Sequence, residues 1–204
     1  MLLFKQICIR FKCEKQETMV NLHPKKGHLL IAEPSILGDL SFNRSVILLA
    51  DHNEEGSIGF ILNKPLDYTI NDLIPEIEAS LKIYNGGPVE QDNLYFIHKI
   101  PDSIPNSIEI SHGIFWGGDF NTVKELINNG ELNNNDIRFF LGYTGWDADQ
   151  LVSELISNTW IITKNIYADS IIEKSDITFW KEKMLELGGE YSIWSNAPDD
   201  PSYN

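Results

Sequence analysis

Histidine and cysteine give this 204-residue chain its widest chemical options, and their spacing removes most of them. The five histidines (His23, His28, His52, His98 and His112) are scattered and include no H-x-x-x-H pair, so no metal site is expected. Cys8 and Cys13 lack the further thiol or imidazole that a zinc site needs, and their spacing is not that of a C-x-x-C redox pair. A serine nucleophile would need a sharp G-x-S-x-G elbow, which is missing, and Ser45 at the start of an apolar run reads as structural. Gly86-Gly87-Pro88 lacks the G-x-G-x-x-G spacing and the following helix that cradle a phosphate. A tight turn is the favoured reading, and no cofactor is expected.

What remains are polar residues set among apolar or Gly-rich neighbours. His52 stands at the end of an apolar run, beside the acidic segment HNEEGS, where strand ends meet a loop. Arg44 stands where FNRSVILL enters that run, and Asn63 closes the next one before Pro65. Gln150 and Glu154 share a helix face at i, i+4, just after Trp146 in GYTGWDADQLVSEL. Each has a plainer role available. Arg44 could pair a carboxylate, Asn63 could cap a turn, Gln150 could complete a capping box, and Glu154 could face water.

The elements that would position these residues follow from hydrophobic period. His28–Pro34 and Ser45–Asp51 read as buried strands, and Ile58–Asn63 pairs with the second across the loop His52–Ser57 in an antiparallel hairpin. Thr69 is expected to cap a helix carrying Ile70, Leu73, Ile74, Ile77 and Leu81, with Pro75 at a kink or opening a second short helix. Ile83–Glu90 reads as a strand and tight turn, and Leu94–Ile100 and Ile108–Trp116 as strands, with His112 inside the last. A helix near Asn121–Asn129 ends at Gly130, followed by a strand over Ile137–Tyr143. Asp147 is expected to cap a helix with Gln150 in the capping-box position. A strand near Trp160–Thr163 and a helix over about Asp176–Leu187 complete the set. The order neither alternates as βαβ nor segregates, so a mixed sheet with helices around it is expected.

The formal net charge of -14, with 16 basic against 30 acidic residues, argues against direct nucleic-acid binding or adsorption to an anionic membrane. No run of eighteen apolar residues could span a bilayer. Residues 1–18 carry Lys5, Arg10, Lys12 and Lys15 against Glu14 and Glu17, opposite in sign to the rest, and form no signal-peptide core. They read as a loosely attached extension, with Met19 as a candidate start. Residues 19–204 form one domain, with an irregular tail from about residue 190. The body beyond Cys13 has no cysteine, which suits a reducing cytoplasm.

Three segments together resemble the YqgE/AlgH family in order and spacing: GHLLIAEPSILGDLSFNRSVILLADHNEEGSIGFILNKP, YNGGPVEQDNLYFIH and RFFLGYTGWDADQLVSELISNTWII. The resemblance runs from about Gly27 to Gly188. It implies an α+β fold with a mixed, bifurcated sheet curled into a pseudo-barrel and flanked by helices. Its motif positions map onto Arg44, His52, Asn63, Gly86, Gly87, Trp146, Gln150 and Glu154, among others. The chain departs from the pattern at Asp149, where Gly is usual, and at Val152, where an acidic residue often follows Leu151. Members of that family carry a transcriptional-regulator label, which the acidity of this chain weighs against reading as DNA binding.

Three functions stand open on this basis. The leading one is a non-catalytic regulatory or ligand-binding protein with a cleft formed by Arg44, His52, Asn63, Gly86, Gly87, Trp146 and Gln150, holding a small anionic ligand. The second is a hydrolase or transferase with His52 as general base and Glu154 as acid. The third is an interaction module whose acidic surface meets a protein partner.

Overall fold

The computed structural model describes residues 23–36, 41–174 and 177–197. The described residues form ten strands: β1 (His28–Ala32), β2 (Val46–Asn53), β3 (Gly56–Ile61), β4 (Pro65–Thr69), β5 (Lys82–Asn85), β6 (Val89–His98), β7 (Ile108–Ser111), β8 (Ile114–Trp116), β9 (Ile137–Asp147) and β10 (Trp160–Lys164). Between and after them lie helices α1 (Ile70–Leu73), α2 (Phe120–Asn128), α3 (Gln150–Ile156), α4 (Phe179–Leu187) and α5 (Tyr191–Trp194), with a 3₁₀ helix over Ala168–Glu173. No helix among the described residues is long and apolar enough to cross a membrane.

The strands join in one sheet of order β10-β1-β2-β3-β9-β6-β8-β7, with β4 and β5 on a branch. Every pairing is antiparallel except β5 with β9. The fork lies on β9. Its first residues, Ile137–Leu141, run between β6 and β5, whereas Thr144–Asp147 pair with Gly56–Gly59 of β3. This is the mixed, bifurcated α+β sheet the sequence implies. It does not close as a barrel, since among the described residues the path ends on β10 and β7, which do not pair with each other.

Apolar periodicity explains the layers. The run Val46–Ala50 is buried at every position because both faces of β2 are covered. One face packs Leu48, Phe60 and Phe140 against Phe179 and Trp180 of α4. The other packs Leu30, Ile47 and Ile61 against Leu151 of α3 with Trp146 and Trp160. A third cluster sets Ile83, Phe96 and Phe139 against Val123 and Ile127 of α2.

Local chemistry revises several boundaries. The loop expected over His52–Ser57 shrinks to a turn at Glu54–Glu55, because the strands continue to Asn53 and from Gly56. Pro75 stops α1 at Leu73 rather than kinking a longer helix, while the Asp72 carboxylate accepts the Thr69 N–H as the cap expected. Ile108–Trp116 is a hairpin of two strands. His112 and Gly113, at φ +48° and +81°, form its turn, so His112 is exposed and not a sheet residue. Strand β9 runs on through Trp146, and α3 is capped by Asp149 rather than Asp147. The tail, expected to be irregular, forms α5 over Tyr191–Trp194. The extension over residues 1–18 and the expected helix start at Asp176 lie outside the described residues.

Candidate functional site

The β2–β3 hairpin separates the residues the sequence groups together. Arg44 precedes the first residue of β2 and His52 sits near its last, eight residues on and therefore roughly 25 Å away along the strand at about 3.3 Å per residue. They cannot share one cleft. The Arg44 guanidinium donates to the Ala197 carbonyl at 3.2 Å and lies 5.2 Å from the centre of the Trp180 ring. Its backbone is left-handed at φ +54°.

Asn63 is 3% exposed and works on that same entry to the sheet. Its Oδ1 accepts the Val46 N–H at 2.8 Å and its Nδ2 donates to the Arg44 carbonyl at 2.9 Å. Both ends of the amide are spent on main chain, which makes Asn63 a clamp between β2 and the exit of β3. Gly86 and Gly87 are likewise structural. Gly86 N–H donates to the Leu141 carbonyl and Gly87 N–H to Asn85 Oδ1, so neither is free for a phosphate. A side chain at Gly87, which has φ +150°, would place Cβ 2.3 Å from the Tyr143 carbonyl carbon. Those glycines let the β5–β6 turn cross β9 in contact.

Alternation along β9 then decides which side each remaining residue faces. Thr144 and Trp146 are buried beneath α3, while Gly145 and Asp147 are exposed on the opposite face. Trp146 is 6% exposed and donates its indole N–H to Glu154 Oε2 at 2.8 Å, and Trp160 donates to the same oxygen at 2.6 Å. Gln150 donates to Glu154 Oε1 at 2.9 Å and accepts the Asp147 N–H at 3.0 Å, the capping-box contact expected between these two residues, although the helix itself starts after Asp149. Glu154 is thus the anchor of an aromatic cluster in which the Trp146 and Trp160 rings meet edge to face at 6.1 Å. His52, on the same side, pairs its Nδ1 with Ser57 Oγ at 2.7 Å. Among the described residues no hydrogen bond joins His52 to Glu154, so the expected acid–base pair is not assembled.

On the other face of the hairpin lies a depression of about 500 Å³. Its floor is formed where Gly56 and Gly145 lack side chains, and Ile58, Val89 and Tyr143 wall it. The ionisable carboxylates around it are Asp51, Glu55 and Asp147, and no Lys, Arg or His among the described residues lines it. Of the residues singled out from sequence, only Trp146 and Gln150 border it, and the Trp146 indole points away to Glu154. The acidic turn hid this site by reading as a loop, and period-two alternation in Tyr143, Gly145 and Asp147 is the signal that could have found it. An apolar groove of about 370 Å³ around Ile74, Phe96 and Phe120 contains none of the predicted site residues.

Comparison with known proteins agrees with this architecture. A family model described as AlgH-like matches residues 29–192. A UPF0301 protein of Bacteroides fragilis is 42% identical over 187 residues, covering 90% of this chain and 93% of its own. One from Chlorobium limicola is 41% identical over 189 residues, covering 91% and 100%. Among solved structures, the AlgH protein from Pseudomonas aeruginosa superposes with a TM-score of 0.66 at 26% identity, over 86% of this chain and 95% of that one. Protein DIP2367 from Corynebacterium diphtheriae does so with a TM-score of 0.69 at 22% identity, over 89% and 96%, which is a likeness of fold.

Proposed function

Because the chain belongs to the AlgH-like family, we propose that it acts in the cytoplasm as a non-catalytic regulatory protein that binds a ligand or partner through an ammonium or guanidinium group. The observation that carries this reading is the depression ringed by Asp51, Glu55 and Asp147, with no basic residue among the described residues of its lining. Tyr143 offers an aromatic face and Ile58 and Val89 an apolar wall, which suits the stem of a Lys or Arg side chain as well as its charged head. A net charge of -14 would steer such a partner toward the surface and repel nucleic acid. The anionic ligand expected from sequence rested on Arg44, whose guanidinium is engaged with Ala197 and Trp180 far from this depression.

The test is an NMR titration of the labelled protein with short Lys/Arg-rich peptides, against Glu-rich peptides of equal length. Saturable shifts at Tyr143, Gly145 and Asp147, lost in an Asp51→Asn/Asp147→Asn variant, are expected. Equal binding by that variant, or preference for the acidic peptide, refutes the reading. Random duplex DNA should show no binding at physiological salt in the range of roughly 10⁻⁴ to 10⁻⁶ M where non-specific binders fall.

A further inference from the structure

Arg138 on β9 is 2% exposed, yet no carboxylate among the described residues pairs with it. Its terminal nitrogens donate to the main-chain carbonyls of Leu62 (3.1 Å), Ile171 (3.3 Å), Lys174 (3.4 Å) and Ile172. The guanidinium carbon stands 4.9 Å from the centre of the Tyr84 ring. These contacts tie the 3₁₀ helix to the sheet and satisfy the four terminal N–H bonds. They bring no counter-charge. Burial pushes the Arg138 pKa down to about 10, the direction expected for a cation held without an anion.

A polar pocket of about 220 Å³ opens against this side chain. The Arg138 Nε–H has no acceptor among the described residues, and the side chain lines this pocket. Lys82 stands at the rim, exposed and without an ion pair among the described residues. Asn134 spends its Oδ1 on the Lys82 backbone N–H, which leaves its NH₂ to donate, and Asn135 adds a second side-chain amide. The one acidic residue among the described residues of the lining, Glu173, is paired with Lys99 at 3.4 Å. The pocket is therefore rich in donors and locally positive on a molecule of net charge -14.

We propose that the pocket over Arg138 binds a small oxyanion, a phosphate or carboxylate group. Arg138 Nε–H and Lys82 would supply charge-assisted hydrogen bonds, and Asn134 and Asn135 would orient the anion. The ligand supplies the negative charge that the main-chain carbonyls cannot, and this site is separate from the acidic depression on the β2–β3 hairpin.

The experiment follows the Arg138 Nε–H resonance of the full chain during titration with inorganic phosphate and, separately, acetate, at ionic strength held constant with sodium chloride. A saturable shift of that resonance and of the Asn134 and Asn135 side-chain amides is expected, and whichever anion saturates lower names the group preferred. Lys82→Glu, an exposed change that leaves the core intact, should weaken binding by at least about tenfold, because it removes one charge-assisted hydrogen bond and sets a carboxylate against the anion. Linear shifts without saturation, shifts confined to other surface lysines, or unchanged binding in the Lys82→Glu variant would each overturn the proposal.

Discussion

Glu154 accepts the Trp160 indole N–H at 2.6 Å through Oε2, the same oxygen that takes the Trp146 indole. One carboxylate on α3 thereby fixes an aromatic residue on β9 and another on β10. Glu154→Gln, which turns an acceptor-only group into one that also donates, is expected to cost roughly 1–3 kcal/mol of folding stability in urea titration. Tryptophan emission should shift to the red as the cluster loosens. A Glu154→Gln protein as stable as the parent would return Glu154 to the list of candidate catalytic acids.

Arg44 holds the C-terminal segment by its bond to the Ala197 carbonyl and its place over Trp180. Arg44→Ala is expected to lower stability by about 1–2 kcal/mol, the sum of a cation–π contact and a charged hydrogen bond. The loss should be local first, so hydrogen exchange at Ser195–Ala197 should accelerate before that of β2. Unchanged exchange there would detach Arg44 from the tail.

Asp149 caps α3 in the left-handed region at φ +61°, at the position where the family pattern carries Gly. A side chain pays a steric cost in that region that glycine does not, and the Asp149 side chain makes no capping hydrogen bond in return. Asp149→Gly should therefore raise stability by up to about 1 kcal/mol, read as a higher midpoint in denaturant with unchanged slope. A lower midpoint would mean that the lost chain stiffness outweighs the relieved strain.

The strands were legible because their apolar runs are short, continuous and bounded by Gly, Pro and Asn, as with Val46–Ala50 between Arg44 and the turn at Glu54. Helices that rest on tertiary contact were not. The 3₁₀ helix at Ala168–Glu173 is held by Arg138 from β9, thirty residues away in sequence, and leaves no local period. The site misreading has the same origin. Motif residues such as Asn63, Gly87 and Glu154 stand out by type, and type alone does not say whether an amide or carboxylate is spent on a ligand or on its own fold. Trp146 and Tyr143 are three residues apart, yet alternation sends one under α3 and the other to the open face.

The buried imidazole of His98 makes stability depend on pH near neutrality. His98 is fully buried, with Nδ1 accepting the Ile100 N–H at 3.3 Å and Nε2 facing Ser107 Oγ at 3.0 Å and the Gly117 carbonyl at 3.2 Å. Ser107 gives its own proton to the Ile104 carbonyl, so Nε2 carries the ring proton and the neutral ring satisfies the site. Burial holds the His98 pKa below its ordinary value, outweighing the opposing Gly117 bond. His28 is lowered too, by burial and then by Lys25 and Lys164. For a histidine kept neutral by the fold, the unfolded chain binds the proton first. The stabilisation is complete above the unfolded pKa of about 6.5 and declines as pH falls toward the folded value. Each such histidine contributes a slope of at most about 1.4 kcal/mol per pH unit in that window. Denaturation midpoints measured between pH 7.5 and 5.5, above the range where carboxylates titrate, should fall with pH in the parent. His98→Gln, which keeps polar contacts and cannot titrate, should be less stable at pH 7.5 but lose less on acidification. Parallel curves for parent and variant would show that His98 protonates equally well folded and unfolded, and the buried neutral ring would be refuted.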